Sequence, residues 1–165
     1  MSDPLKIGVA GLGTVGAGTL DILQKNQDII SARAGRELVV TAVSARDKTK
    51  DRGVSTADLY WHGDAAALAH IEHVDVVVEL IGGSEGVAKT LVEDGLANAK
   101  HVVTANKALI AHHGAELANI AETSDVGFYG EAAVAGGIPI LKAIREGLAG
   151  NAIHRVYGIL NGTCN

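Results

Sequence analysis

Gly11-Leu12-Gly13-Thr14-Val15-Gly16 is the stretch that decides the fold of this 165-residue chain. It follows an apolar run at residues 5–10, which predicts a strand. It opens a stretch of helical periodicity through Val15, Leu20 and Leu23, which predicts a helix from about Thr14 to Ile30. Strand, glycine turn and helix in that order make the βαβ unit that takes a dinucleotide. Gly11, Gly13 and Gly16 then have separate physical roles, which are a tight turn, close backbone approach to a pyrophosphate, and close packing of helix on strand. The helix N-terminus adds unpaired N–H groups and partial positive charge. With 21 glycines in the chain the bare pattern recurs easily, so its place between strand and helix carries the inference.

Composition agrees with that unit. The length fits one domain able to bury a core. Hydrophobic residues make up 47% and aromatic residues only 3%, so the core is built from Val, Ile, Leu and Ala, as in a parallel sheet covered on both faces. A net charge of −5 without any basic block argues against a nucleic-acid surface. No segment approaches the ~18 apolar residues of a membrane span. A single cysteine, Cys164, allows no intrachain disulfide and points to a reducing, cytoplasmic setting.

Strand-like and helix-like runs alternate along the whole chain. Further strands are predicted over residues 37–44, 74–80, 101–104, 127–130 and 153–160. Helices are predicted over 65–70, 86–97, 107–122 and 140–148, with a polar loop over 45–57. The fold class is therefore α/β, a doubly wound parallel sheet. Residues 1–150 form the dinucleotide-binding domain. Residues 151–165, stopping in a polar turn after a strand, read as the start of a further domain.

In such a sheet ligands lie at the carboxyl ends of the strands. After the second strand comes Ser44-Ala45-Arg46-Asp47-Lys48. Arg46 and Lys48 suit the 2′-phosphate of NADP, whereas Asp47 would suit the ribose of NAD; NADP is the favoured reading, with NAD left open. Gly82-Gly83 either supports a cofactor ribose or is a simple turn into a helix. Lys107 stands at a helix N-terminus, where the macrodipole disfavours a cation, which fits a lysine directed at an anionic cofactor or substrate. Glu131, in a glycine-rich segment, either caps the next helix, orients a substrate group, or joins backbone carbonyls around a hard cation; the chemistry of the residues alone favours the first two. The histidines offer no metal site, and Cys164 reads as a small buried thiol.

Together these stretches resemble the front of a homoserine dehydrogenase over essentially the whole chain. The resemblance rests on GLGTVG, VSARD, VVVELIGG, TANKALIA at Thr104–Ala111, GEAAVAGGIPIL at Gly130–Leu141 and GILNGTCN at Gly158–Asn165. It implies a Rossmann-type NAD(P)-binding domain and interconversion of L-aspartate 4-semialdehyde and L-homoserine. Lys107 would be the catalytic lysine, protonating the developing alkoxide. Thr14 and Val15 would meet the pyrophosphate through backbone N–H groups, Arg46 the 2′-phosphate, and Asn161, Gly162 and Thr163 the nicotinamide. Glu131, Val134, Gly136 and Ile138 would hold a monovalent cation, usually sodium. Family members continue for hundreds of residues beyond such an NGT turn, into a part that holds a substrate-binding carboxylate, a second catalytic lysine, the dimer sheet and often a regulatory domain. The resemblance thus implies an N-terminal portion of a homodimeric or larger parent, inactive by itself. Two rival readings stay open at this stage. One is a non-catalytic NAD(P)H-sensing module, which has no need of Lys107. The other is a semialdehyde dehydrogenase, which needs a thiol in the cleft.

Overall fold

Short β-branched runs become strands and amphipathic runs become helices in the computed structural model, which describes residues 3–158. The strands are β1 (Leu5–Ala10), β2 (Leu38–Ser44), β3 (Tyr60–His62), β4 (Val76–Glu79), β5 (His101–Thr104) and β6 (Phe128–Tyr129). Every neighbouring pair is parallel, in the order β3-β2-β1-β4-β5-β6. The order reverses between β1 and β4, where a doubly wound sheet opens a crevice for a ligand. Register aligns the strand ends at that crevice. Ala10 lies opposite Ser44 on one side and Glu79 on the other, and Glu79 lies opposite Thr104.

The helices are α1 (Thr14–Lys25), α2 (Gln27–Ala34), α3 (Val87–Ala97), α4 (Lys107–Thr123) and a short α5 (Ile140–Lys142) that continues as a π-helical turn over Ala143–Gly147. In α3 the buried residues are Ala88, Leu91, Val92, Gly95 and Leu96, a spacing of three and four that places them on one face. That face joins Val77, Val102, Leu109 and Leu117 in one core cluster. Leu12 and Leu20 meet Val9 and Val43 in a second. Each buried Leu or Val contributes about 1.5–3 kcal/mol of transfer free energy. Lys100 is nearly buried beneath the sheet, where its Nζ donates to the carbonyls of Ile71 and Val74 at 2.7 Å each. Burial pushes its pKa down, opposed by the Asp75 charge.

Three expectations need correction, and one strand was not foreseen. The helix foreseen over 14–30 is two helices, broken at Asn26, whose φ of −112° and ψ of 20° leave the helical region. The three-residue β3 was not foreseen, because so short a run carries no periodicity. The helix foreseen over 140–148 keeps α geometry only to Lys142. No strand forms over 153–158 among the described residues; Asn161, Gly162, Thr163 and Cys164 lie outside them. No helix among the described residues is long and apolar enough to cross a membrane.

Candidate functional site: a dinucleotide cleft

The cleft forms where β1 passes into α1. Gly11 N–H donates to the Ser44 carbonyl at 2.8 Å and Leu80 N–H to the Ala10 carbonyl at 2.8 Å, so the turn begins clamped between two strands. Gly11 has φ +94°, and a Cβ there would stand 2.6 Å from the Leu80 carbonyl oxygen. A Cβ on Gly16 would stand 1.9 Å from the Gly11 carbonyl oxygen, so this glycine lets the helix sit against the turn. Gly13 differs: a Cβ on it would meet nothing within 4 Å. The protein itself does not require that glycine, which is what close approach of a ligand to the backbone predicts. Gly13 caps α1 without a side-chain hydrogen bond, and the first turn holds no acidic residue. The N–H groups of Thr14, Val15 and Gly16 therefore face outward without intrahelical partners. These features fit a pyrophosphate.

A cleft of about 940 Å³ extends from this turn, lined among others by Gly11, Gly13, Arg46, Lys50, Arg52 and Ile81. Arg46 is exposed on its wall. Asp47 lines the cleft beside it; its Oδ1 accepts from Thr49 N–H at 2.9 Å and from the Thr49 hydroxyl at 2.8 Å, and those bonds hold its carboxyl below the usual range. Lys48 is not part of the lining. Arg52, which sequence reasoning missed, holds the loop instead. It donates to the carbonyls of Leu12 (3.0 Å), Lys50 (2.7 Å) and Asp47, and lies 5.3 Å above the Trp61 ring. Its only sequence signal is a basic residue inside a polar loop.

Across the crevice, Gly82 and Gly83 take φ values of +86° and +87° in the turn after β4. Lys107 opens α4, exposed and outside every ion pair of the described residues. Asn106 caps that helix, its Oδ1 accepting from Leu109 N–H at 3.1 Å. Glu131, Val134, Gly136 and Ile138 lie in one winding segment between β6 and α5, where Ala135 (φ +51°) and Gly137 (φ +86°) turn the backbone. The carbonyls of Val134 and Gly136 accept no hydrogen bond from the described residues, whereas that of Glu131 accepts from Val134 N–H.

Residues 11–131 match the family model "Homoserine dehydrogenase, NAD binding domain", and residues 139–165 match "Homoserine dehydrogenase". This chain belongs to the homoserine dehydrogenase family. It is 50% identical to the homoserine dehydrogenase of Pseudomonas aeruginosa and 47% identical to that of Neisseria gonorrhoeae, covering 98% of this chain in each case. It spans 37% of the length of each of those relatives, and corresponds to the N-terminal part of a homoserine dehydrogenase. A solved homoserine dehydrogenase from Thiobacillus denitrificans superposes with a TM-score of 0.82 at 46% identity, over 90% of this chain and 34% of that one. The glycine turn and the crevice therefore belong to the NAD-binding domain of this family.

Proposed function

We propose that this chain is the cofactor-binding part of an enzyme that reduces L-aspartate 4-semialdehyde to L-homoserine with NADPH, accepting NADH less well. The observation that carries the reading is the pairing of an open Gly13 and uncapped α1 N-terminus with an exposed Arg46 on the β2 wall. Asp47 lines the same wall with Oδ1 bonded to Thr49, and its second oxygen can accept from a ribose hydroxyl, which is the route by which NADH is accepted. Arg46 offers a planar fork of donors to a phosphate. The bound cofactor supplies hydride to the aldehyde carbon. Lys107, on the far side of the crevice, holds an ammonium proton at Nζ and gives it to the substrate oxygen, and Gly82 supports the backbone beside it. The family resemblance alone assigns Asn161, Gly162 and Thr163, outside the described residues, to contact with the nicotinamide. Lys48 adds a diffuse positive charge to the adenosine side.

Titrating the 165-residue chain with NADPH and NADH tests the reading. Arg46→Ala is expected to lower NADPH affinity about tenfold or more and to leave NADH within about twofold. Equal affinities in wild type and variant would remove Arg46 from the site. The chain alone is expected to bind cofactor without turning over aspartate semialdehyde. Ordinary steady-state turnover would show that the site is complete.

The segment from Glu131 to Ile138 is the proposed seat of a monovalent cation, sodium by preference. Glu131 supplies the charge, and Val134, Gly136 and Ile138 supply carbonyl oxygens, a hard-oxygen donor set. Sodium-23 line broadening by wild type that persists in Glu131→Gln would rule this arrangement out. The parent is proposed to work in the cytoplasm as a homodimer or larger assembly, through chain outside these residues.

A further inference from the structure

Glu79 is the only acidic residue among the buried side chains of the described residues, with no exposed surface, and it belongs to none of their ion pairs. A buried charge is costly unless donors surround it. Three do. Oε1 accepts from Ile81 N–H at 2.7 Å and Gly82 N–H at 3.0 Å, and Oε2 accepts from the Thr104 hydroxyl at 2.5 Å. The two oxygens of Glu79 thus take one partner set each, the turn on one side and β5 on the other.

The chain of bonds continues in one direction. While its hydroxyl donates to Glu79, Thr104 Oγ1 accepts from Asn106 N–H at 3.0 Å. The Asn106 side chain then divides its two ends. Oδ1 caps α4, and Nδ2 donates to the Gly83 carbonyl at 2.6 Å. The bonds thus close a ring from the end of β4, through the end of β5 and the start of α4, back to the turn after β4. Gly82 and Gly83 have no packing that would hold their left-handed backbone, since a Cβ on either would meet nothing within 4 Å. The ring is what holds it. Lys107 directly follows Asn106, so the same ring fixes where α4 presents its first side chain.

We propose that Glu79, Thr104 and Asn106 are positioning residues that set the Gly82–Gly83 turn and Lys107 as one rigid unit beneath the nicotinamide end of the dinucleotide. The inference rests on the dinucleotide reading above. With the pyrophosphate at the α1 N-terminus and Arg46 on the β2 side, the other half of the ligand must extend over β4 and β5.

The test compares NADPH with adenosine 2′,5′-bisphosphate, which lacks the nicotinamide half, by calorimetric titration of the 165-residue chain. Thr104→Val leaves Oε2 of Glu79 and the N–H of Asn106 unpaired, and is expected to weaken NADPH about tenfold while the bisphosphate stays within about twofold. Thr104→Ser keeps the hydroxyl and is expected to restore NADPH affinity to within about threefold of wild type. Should Thr104→Val fail to fold, Asn106→Ser decides. Serine retains a cap oxygen but loses the bond to Gly83, and is expected to weaken NADPH alone by about threefold. Equal loss for both ligands, or loss for neither, overturns the positioning role. A wild-type chain that binds the bisphosphate and NADPH equally well also overturns it, because the nicotinamide end then contributes nothing. Wild type that binds neither ligand overturns the dinucleotide reading itself.

Discussion

Gly11, Gly13 and Gly16 have different reasons to be glycine, and substitution separates them. Alanine at Gly16 would press a methyl into the Gly11 carbonyl, at a Cβ–O separation of 1.9 Å. Gly16→Ala is expected to destabilise the chain by about 3 kcal/mol or more in urea unfolding. Alanine at Gly13 meets no protein atom, and the φ of −75° and ψ of −162° there are open to any residue. Gly13→Ala is therefore expected to change stability by less than about 1 kcal/mol, yet to weaken NADPH about tenfold by filling the path of the phosphates. A Gly13→Ala chain with unchanged affinity would place the pyrophosphate elsewhere. On the proposed function, one short motif encodes a folding constraint in Gly16 and a binding constraint in Gly13.

Among the elements, the turn after β4 is also tethered to the side of α4 by a contact that depends on pH. Glu85 Oε1 lies 2.7 Å from His113 Nε2, with Glu116 Oε2 3.7 Å from the other ring nitrogen. The hydrogen bond from His113 holds the Glu85 carboxyl below its ordinary value of 4.5. A depressed folded-state pKa contributes stability above the unfolded value, and that stability is lost as pH falls through the folded one. His113→Ala is thus expected to flatten the fall in urea midpoint between about pH 5 and about pH 3. A variant whose acid limb is as steep as that of wild type would show that the tether carries no linkage. Elements of this kind differ in how well sequence announces them. The strand at residues 101–104 and the helix from Lys107 were legible because a β-branched pair and a long periodic run follow one another without interruption. The break at Asn26 was not, since asparagine is tolerated inside helices and only the backbone angles reveal it. At the cleft, the turn of Gly11, Gly13 and Gly16 and the placing of Arg46 on its wall could be read from local order along the chain. The Glu79–Thr104 bond joins residues 25 apart, and Arg52 reaches back 40 residues to Leu12, so no local pattern contains either contact.

At the scale of the whole molecule the two faces of the sheet are unequally built. The cluster under α3 and α4 gathers buried residues from both helices, while on the other face α1 buries Gly16 and Leu20 and α2 buries none. The sheet edges are short, three residues in β3 and two in β6, which limits open edge pairing on either side. This asymmetry matters for the segment Gln27–Ala34. A helix with no fully buried residue, only Ile30 and Ser31 being half-buried, gains little from tertiary packing, and eight residues are too few to hold helical form unaided. The crevice can therefore keep its shape while this segment opens and closes, a local melting with its own low free energy. Amide exchange in α2 is expected to outrun that in α3 by orders of magnitude; matched rates would mean the two faces unfold as one. The practical outcome is an anchorage for a fluorophore or an inserted peptide, a place where the chain can be handled without disturbing what it holds.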